Sequence, residues 1–215
     1  GVILDDEGHP ICCEIWPGNT SDVKTLVPIV KRLKKRFKIC QVCIVSDRGM
    51  VSQEVLDWLE SENWPYILGV RMRKQKEVKE QVLSRGGRYQ SVEKVGRVEK
   101  RGKNNRNKED KGKGNQQLSP LRVKEVMIEG RRYIVCFNIE QAQKDKADRI
   151  EILKGLCDQL KRGGEKSLIG NKGYRKYVKC IGKGFEVDMK KVKCEARYDG
   201  KWVLRTNTSY DAVEV

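Results

Sequence analysis

The chain has 215 residues, 38% hydrophobic and 35% charged, and its 46 Lys+Arg against 30 Asp+Glu give a formal net charge of +16. That is enough apolar material for one domain, or for one domain carrying a large insertion, and it excludes a peptide-sized module. No apolar run reaches the length of a bilayer span and the first residues carry neither a basic n-region nor an h-region, so a soluble, unsecreted protein with a polyanionic partner is expected.

Val2–Leu4 and Ile11–Trp16 are short apolar runs on either side of the turn-forming Asp5-Asp-Glu-Gly-His-Pro10, which predicts a β-hairpin. Pro17-Gly18 ends the second run. Thr20, Ser21 or Asp22 then caps a predicted helix whose apolar positions Leu26, Ile29, Val30, Leu33 and Phe37 recur at three and four residues. Its other face carries Lys31, Arg32, Lys34, Lys35, Arg36 and Lys38. Gln41–Ser46 is an almost continuous apolar run, the pattern of a strand covered on both faces, and Asp47 follows at its C-terminal end. Ser52 caps a second helix to about Glu62, with Val55, Leu56 and Leu59 inward, and Pro65–Val70 reads as a further buried strand.

Beyond Val70 the composition shifts. Residues 1 to 70 carry 8 Lys+Arg against 10 acids, residues 71 to 114 carry 16 against 6, and residues 115 to 215 carry 22 against 14. A boundary is therefore expected at about Arg71, and Glu99–Gln117, which has no apolar periodicity, is expected to be a mobile loop. Arg122–Ile128 and Arg131–Phe137, joined by Glu129-Gly130, predict a second hairpin. A helix over roughly Lys144–Lys161 follows, using Ile150, Leu153, Leu156 and Leu160, and then strands at Phe185–Asp188 and Lys201–Arg205. Tyr210–Val215 reads as a helix cut short, and with Gly1 in first place the chain reads as an internal piece of a longer protein.

The segment Val45-Ser-Asp-Arg-Gly-Met50 places a carboxylate just past a buried strand, before a glycine-containing loop and a capped helix. In an α/β sheet that place faces the crevice where ligands bind. Carboxylates at such strand ends hold the divalent ions of phosphodiester chemistry, although Asp is also an ordinary turn residue. Arg48 beside it either holds a phosphate or neutralises Asp47. The stretch Arg71–Lys113, too polar to fold by itself, either is only a solvated face or supplies long cations suited to DNA phosphates, with Arg71, Arg73, Lys74 and Lys76 nearest the strand. The eight cysteines are scattered through apolar segments, as at Cys43, Cys136 and Cys157, so reduced, buried thiols are expected. Cys40-x-x-Cys43 falls short of a zinc site, which needs four ligands, because His9 is the only histidine. Trp16, Trp58, Trp64 and Trp202 are expected to pack rather than to stack on bases.

Trp16-Pro-Gly-Asn-Thr-Ser-Asp22 and Ser46-Asp-Arg-Gly-Met50, with Arg131–Asn138 and Tyr198–Asn207 further on, resemble the insertion-sequence DDE transposases, in the branch whose second acid lies in an Asp-x-Gly-x-aromatic or Met motif. The resemblance implies an α/β fold: a ribonuclease-H-like mixed sheet, incomplete and without its first strand, over residues 1–70. A β-rich, basic α+β insertion would cover 71–207, and 208–215 would begin the final catalytic helix. It implies Asp47 as the catalytic and metal-binding second acid, two Mg²⁺ or Mn²⁺ ions in the intact parent, and transposon ends and target DNA as partners. A homodimer of that parent, no membrane association, and the cytoplasm of a bacterium or archaeon, close to the nucleoid, are implied as well. The first and last acids of the family fall outside this match. Asp5, Asp6, Glu7 and Glu214 read as turn or first-turn carboxylates, and Asn19 to Asp22 as capping residues. The fragment alone is expected to be inactive, and a sheet without its central strand to be unstable or prone to aggregate. A noncatalytic nucleic-acid-binding protein and a nuclease of the same fold are the alternatives.

Overall fold

The computed structural model describes residues 2–5, 7–38, 42–92, 119–162, 171–182 and 184–215. Its elements in chain order are β1 (Val2–Leu4), β2 (Pro10–Cys13), α1 (Leu26–Phe37), β3 (Ile44–Ser46), α2 (Gln53–Ser61), β4 (Tyr66–Gly69), β5 (Gln90–Ser91), β6 (Leu121–Ile128), β7 (Arg131–Asn138), α3 (Ile139–Lys161), α4 (Lys172–Arg175), β8 (Val178–Ile181), β9 (Gly184–Val187), α5 (Met189–Ala196) and β10 (Lys201–Thr206). A mixed six-stranded sheet has the order β3-β4-β10-β7-β6-β5, while β1-β2 and β8-β9 form two-stranded sheets of their own. The class is mixed α/β, which fits a ribonuclease-H-like domain. The chain makes two compact units, Gly1–Gly87 with Glu125–Val135 and Val203–Val215, and Arg88–Lys124 with Cys136–Trp202.

In the first unit β3 runs parallel to β4, and β4 pairs antiparallel with β10 through Leu204↔Gly69, Arg205↔Leu68 and Thr206↔Ile67. Ser52 caps α2 by accepting from the Val55 amide at 3.3 Å, as its sequence position requires. Val55, Leu56 and Leu59 of α2 and Leu26 and Val30 of α1 pack with Ile44, Trp64, Tyr66 and Leu68 into one apolar cluster. All of Tyr66, Ile67 and Leu68 are buried, so β4 is the strand covered on both faces. The expectation that β3 would be covered likewise is corrected. Ile44 is buried but Val45 is 72% exposed, because β3 is the terminal strand and α1 and α2 cover a single face. A β-turn and a short 3-10 turn, Asp22–Lys24, precede α1, so none of Thr20, Ser21 or Asp22 caps it; Thr25 holds that place and its hydroxyl donates to the Asp22 carbonyl at 2.7 Å. Beyond β4 a π-helical turn over Val78–Val82, which the sequence did not announce, buries Val78 and Val82.

The second unit is built on α3, whose N-terminus is capped by Asn138 accepting from the Gln141 amide at 3.0 Å. Leu156 and Tyr177 form its apolar centre with Ile152, Leu153, Leu160, Phe185 and Val187, while Ile150, expected inside, is 57% exposed. Arg149 and Asp199 join α3 to the turn before β10 through two hydrogen bonds of 2.5 and 2.6 Å. The β6–β7 hairpin, whose turn belongs to the first unit, turns at Glu129 and Gly130, both with positive φ, as a tight two-residue turn needs. The expectation of buried thiols is also corrected. Among the described cysteines only Cys136 is buried, and Cys13, Cys157, Cys180 and Cys194 are exposed. The stretch Glu99–Gln117 lies outside the described residues, as do Asp6 and Cys40.

Candidate active site

Asp47 stands immediately after β3, exposed, at the start of a turn in which the Met50 amide donates to its carbonyl at 3.1 Å. That turn is gripped from one side. The Arg71 guanidinium donates through Nε to the Arg48 carbonyl at 3.0 Å and through Nη2 to the Gly49 carbonyl at 3.1 Å. A planar fork of this kind holds two acceptors in a fixed relation, which a lysine ammonium does not. On β4, Gly69 lies so close that a Cβ built there would sit 2.8 Å from the Arg48 amide nitrogen and 3.4 Å from the Asp47 carbonyl carbon. The Asp47 turn is thus seated on bare backbone. The Asp47 carboxylate itself has no hydrogen bond or ion pair among the described residues.

An open cleft of about 320 Å³ is lined by Asp47, Arg48, Gly49, Arg71, Met72, Arg73 and Lys74. Of the sequence-derived site residues it gathers Asp47, Arg48, Arg71, Arg73 and Lys74, whereas Lys76 is exposed and outside the lining. One carboxylate among several cations suits a phosphate-bearing ligand. The base of β4 is anchored by Tyr66, whose hydroxyl donates to Glu60 Oε1 at 2.7 Å, and the same oxygen accepts from Arg205 at 2.7 Å. Burial, with the hydrogen bond to Glu60, pushes Tyr66 up to about 12, so it remains a donor at neutral pH. Gly69 and Met72 were missed in the sequence. For Gly69 a signal existed, since a lone glycine inside a strand marks close backbone approach.

Two of the other acids weighed as candidates, Asp5 and Glu214, have structural work. Asp5 Oδ1 accepts from the Glu7 and His9 amides at 3.0 and 2.7 Å, closing the hairpin tip, and Glu214 Oε2 accepts from the Asp211 amide at 3.0 Å. Trp64 is buried, as expected, but Trp202 is 39% exposed.

A family model described as the transposase DDE domain matches residues 2–189. The chain belongs to that family. No curated protein and no solved structure matches it. Transposases with this domain act in DNA transposition, with DNA as partner, and typically use divalent metal ions. Tested against that chemistry, the transposase residues described here do not make up a metal centre. Asp47 is a single carboxylate, and no three of His, Cys, Asp and Glu converge among the described residues. A two-ion site requires several oxygen ligands. No helix among the described residues is long and apolar enough to cross a membrane.

Proposed function

We propose that this chain carries one of the catalytic carboxylates of a transposase, Asp47, together with part of the surface that holds the DNA strand beside it. The observation that supports this is the exposed carboxylate, without a partner among the described residues, seated at a strand end in a cationic cleft. Arg48, Arg73, Lys74 and Lys76 contact DNA phosphates in this reading, and Arg71, which holds the turn, lends its charge to the same cleft. Residues 1–70 belong to the ribonuclease-H-like core, and 71–207 to a β-rich insertion between the second and third acids. In the intact parent the reaction is metal-dependent cleavage followed by strand transfer, with two Mg²⁺ or Mn²⁺ ions, in a homodimer that acts on transposon ends and target.

The 215-residue chain by itself is expected not to cleave DNA, because Asp47, the single carboxylate of the cleft among the described residues, cannot alone hold a two-ion centre. A lone carboxylate also suits a noncatalytic nucleic-acid-binding protein, and the two readings separate experimentally. The purified chain, incubated with supercoiled plasmid and Mg²⁺ or Mn²⁺, is expected to bind and not to nick. Nicking that disappears in Asp47→Asn would show a nuclease instead. In the intact parent Asp47→Asn should abolish cleavage while DNA binding remains, and undiminished cleavage there would remove Asp47 from the catalytic role.

A further inference from the structure

Helix α1 carries the cations Lys31, Arg32, Lys34, Lys35 and Arg36 and no acid in its 12 residues. The other long helices differ: α2 holds Glu54, Asp57 and Glu60 without a cation, and in α3 five Lys+Arg are matched by five acids. The apolar side of α1 is buried at Leu26 and Val30, and helical periodicity puts Lys31 and Lys35 on the opposite side, where both are exposed, as is Arg36.

Part of this charge has a structural explanation. Arg32 pairs with Glu14 at 2.9 Å and Lys34 with Glu62 at 3.6 Å. The negative end of a helix dipole offsets only about half of one positive charge. Between two and three positive charges therefore remain, on Lys31, Lys35 and Arg36, none of which has a carboxylate partner among the described residues. Lys31 rests 5.6 Å from the centroid of Trp58 and Arg36 5.2 Å from that of Phe37. Such contacts restrain a side chain without neutralising it. Lys31 and Lys35 lie on one face about 6 Å apart along the helix, and Arg36 flanks them. Phosphates of one duplex strand recur about every 3.4 Å of axis, so the pair spans about two of them and Arg36 reaches toward another.

We propose that the exposed face of α1 is a second DNA-backbone surface, made by residues that do not line the Asp47 cleft, and that Lys31, Lys35 and Arg36 each hold a phosphate. It rests on DNA being the partner. Binding there is independent of sequence, since phosphate contacts carry no base information.

The test is the salt dependence of binding between the 215-residue chain and a random-sequence duplex, read by fluorescence anisotropy. The triple variant Lys31→Gln, Lys35→Gln, Arg36→Gln is compared with Lys144→Gln, Lys146→Gln, Lys154→Gln, which removes the same charge from exposed positions of α3. Each lost phosphate contact lowers the slope of log K against log salt by about 0.9, so the α1 variant should lose roughly 2 to 3 units of slope. The α3 variant should lose less than about one. Equal losses in both would mean bulk charge only and would overturn the proposal, as would an unchanged slope in the α1 variant. The single variant Lys35→Gln, expected to lose about one unit, covers misfolding of the triple, checked by circular dichroism. If the wild-type chain binds no duplex at all, the DNA reading itself fails and this inference with it. A basic amphipathic helix also fits an anionic membrane. Loss of binding to phosphatidylserine vesicles with an unchanged DNA slope would assign α1 to that surface and overturn the proposal.

Discussion

Two aspartate-glycine turns, one in each compact unit, are built from the same residue types and put to opposite use. In the first, Arg71 holds the turn by its Arg48 and Gly49 carbonyls, and Gly69 lets the backbones touch. In the second, Arg149 holds the Asp199 carboxylate directly, and the Gly200 amide donates to Asp145 Oδ2 at 2.8 Å. The Arg149 and Asp199 side chains are only 11% and 16% exposed. Asp199 is a fastener. Asp47 is fastened through its neighbours' backbone, which leaves its carboxylate oxygens without a partner among the described residues. An aspartate's role is thus set by what the nearby arginine grips, and neither turn's motif reveals that by itself.

The comparison predicts a ranking of stability losses. Gly200→Ala should cost most, about 4 kcal/mol, because φ is +61° there and the added Cβ would lie 2.3 Å from the Asn138 carbonyl oxygen. A urea titration showing a loss below about 1 kcal/mol would mean that the turn relaxes freely. Asp199→Ala leaves a nearly buried guanidinium unpaired and should cost about 3 kcal/mol, read as a lower denaturation midpoint with unchanged m. For Gly69→Ala, whose contact is with backbone rather than a flexible side chain, about 2 kcal/mol is expected in the same assay. Arg71→Ala should act locally: amide exchange at Met50 quickens about tenfold, roughly 1.4 kcal/mol, with little change in global unfolding. The smallest effect belongs to Asp47→Asn, within about 0.5 kcal/mol of wild type. Should it destabilise as much as Asp199→Ala, the contrast between the turns is wrong.

Much of the first unit was legible from pattern alone. The strand ending just before Asp47, the Ser52 cap and the β6–β7 hairpin follow from propensity, periodicity and turn chemistry, which act over a few residues. What escaped depends on distant partners. The exposure of Val45 is decided by which strand is terminal, and an apolar run looks the same at an edge as in the middle. The strand at Phe185–Asp188 was legible as β9, but its partner β8 buries little and the charged α5 has no buried residue, so neither of these two announces itself by apolar period. Arg71 was read as a phosphate ligand from charge, while its grip on the Asp47 turn requires the chain to return across more than 20 residues.

The pairing of β4 with β10 also sets a schedule for synthesis. Gly69 finds its partner in Leu204, and the Tyr66 amide donates to Asn207 Oδ1 at 2.8 Å, across 141 residues. A ribosome adding about 5–20 residues per second takes roughly 7 to 28 s to make that span. During that interval the strand that seats the Asp47 turn has one edge without its final partner, and a nascent chain of this kind is a natural client for a chaperone.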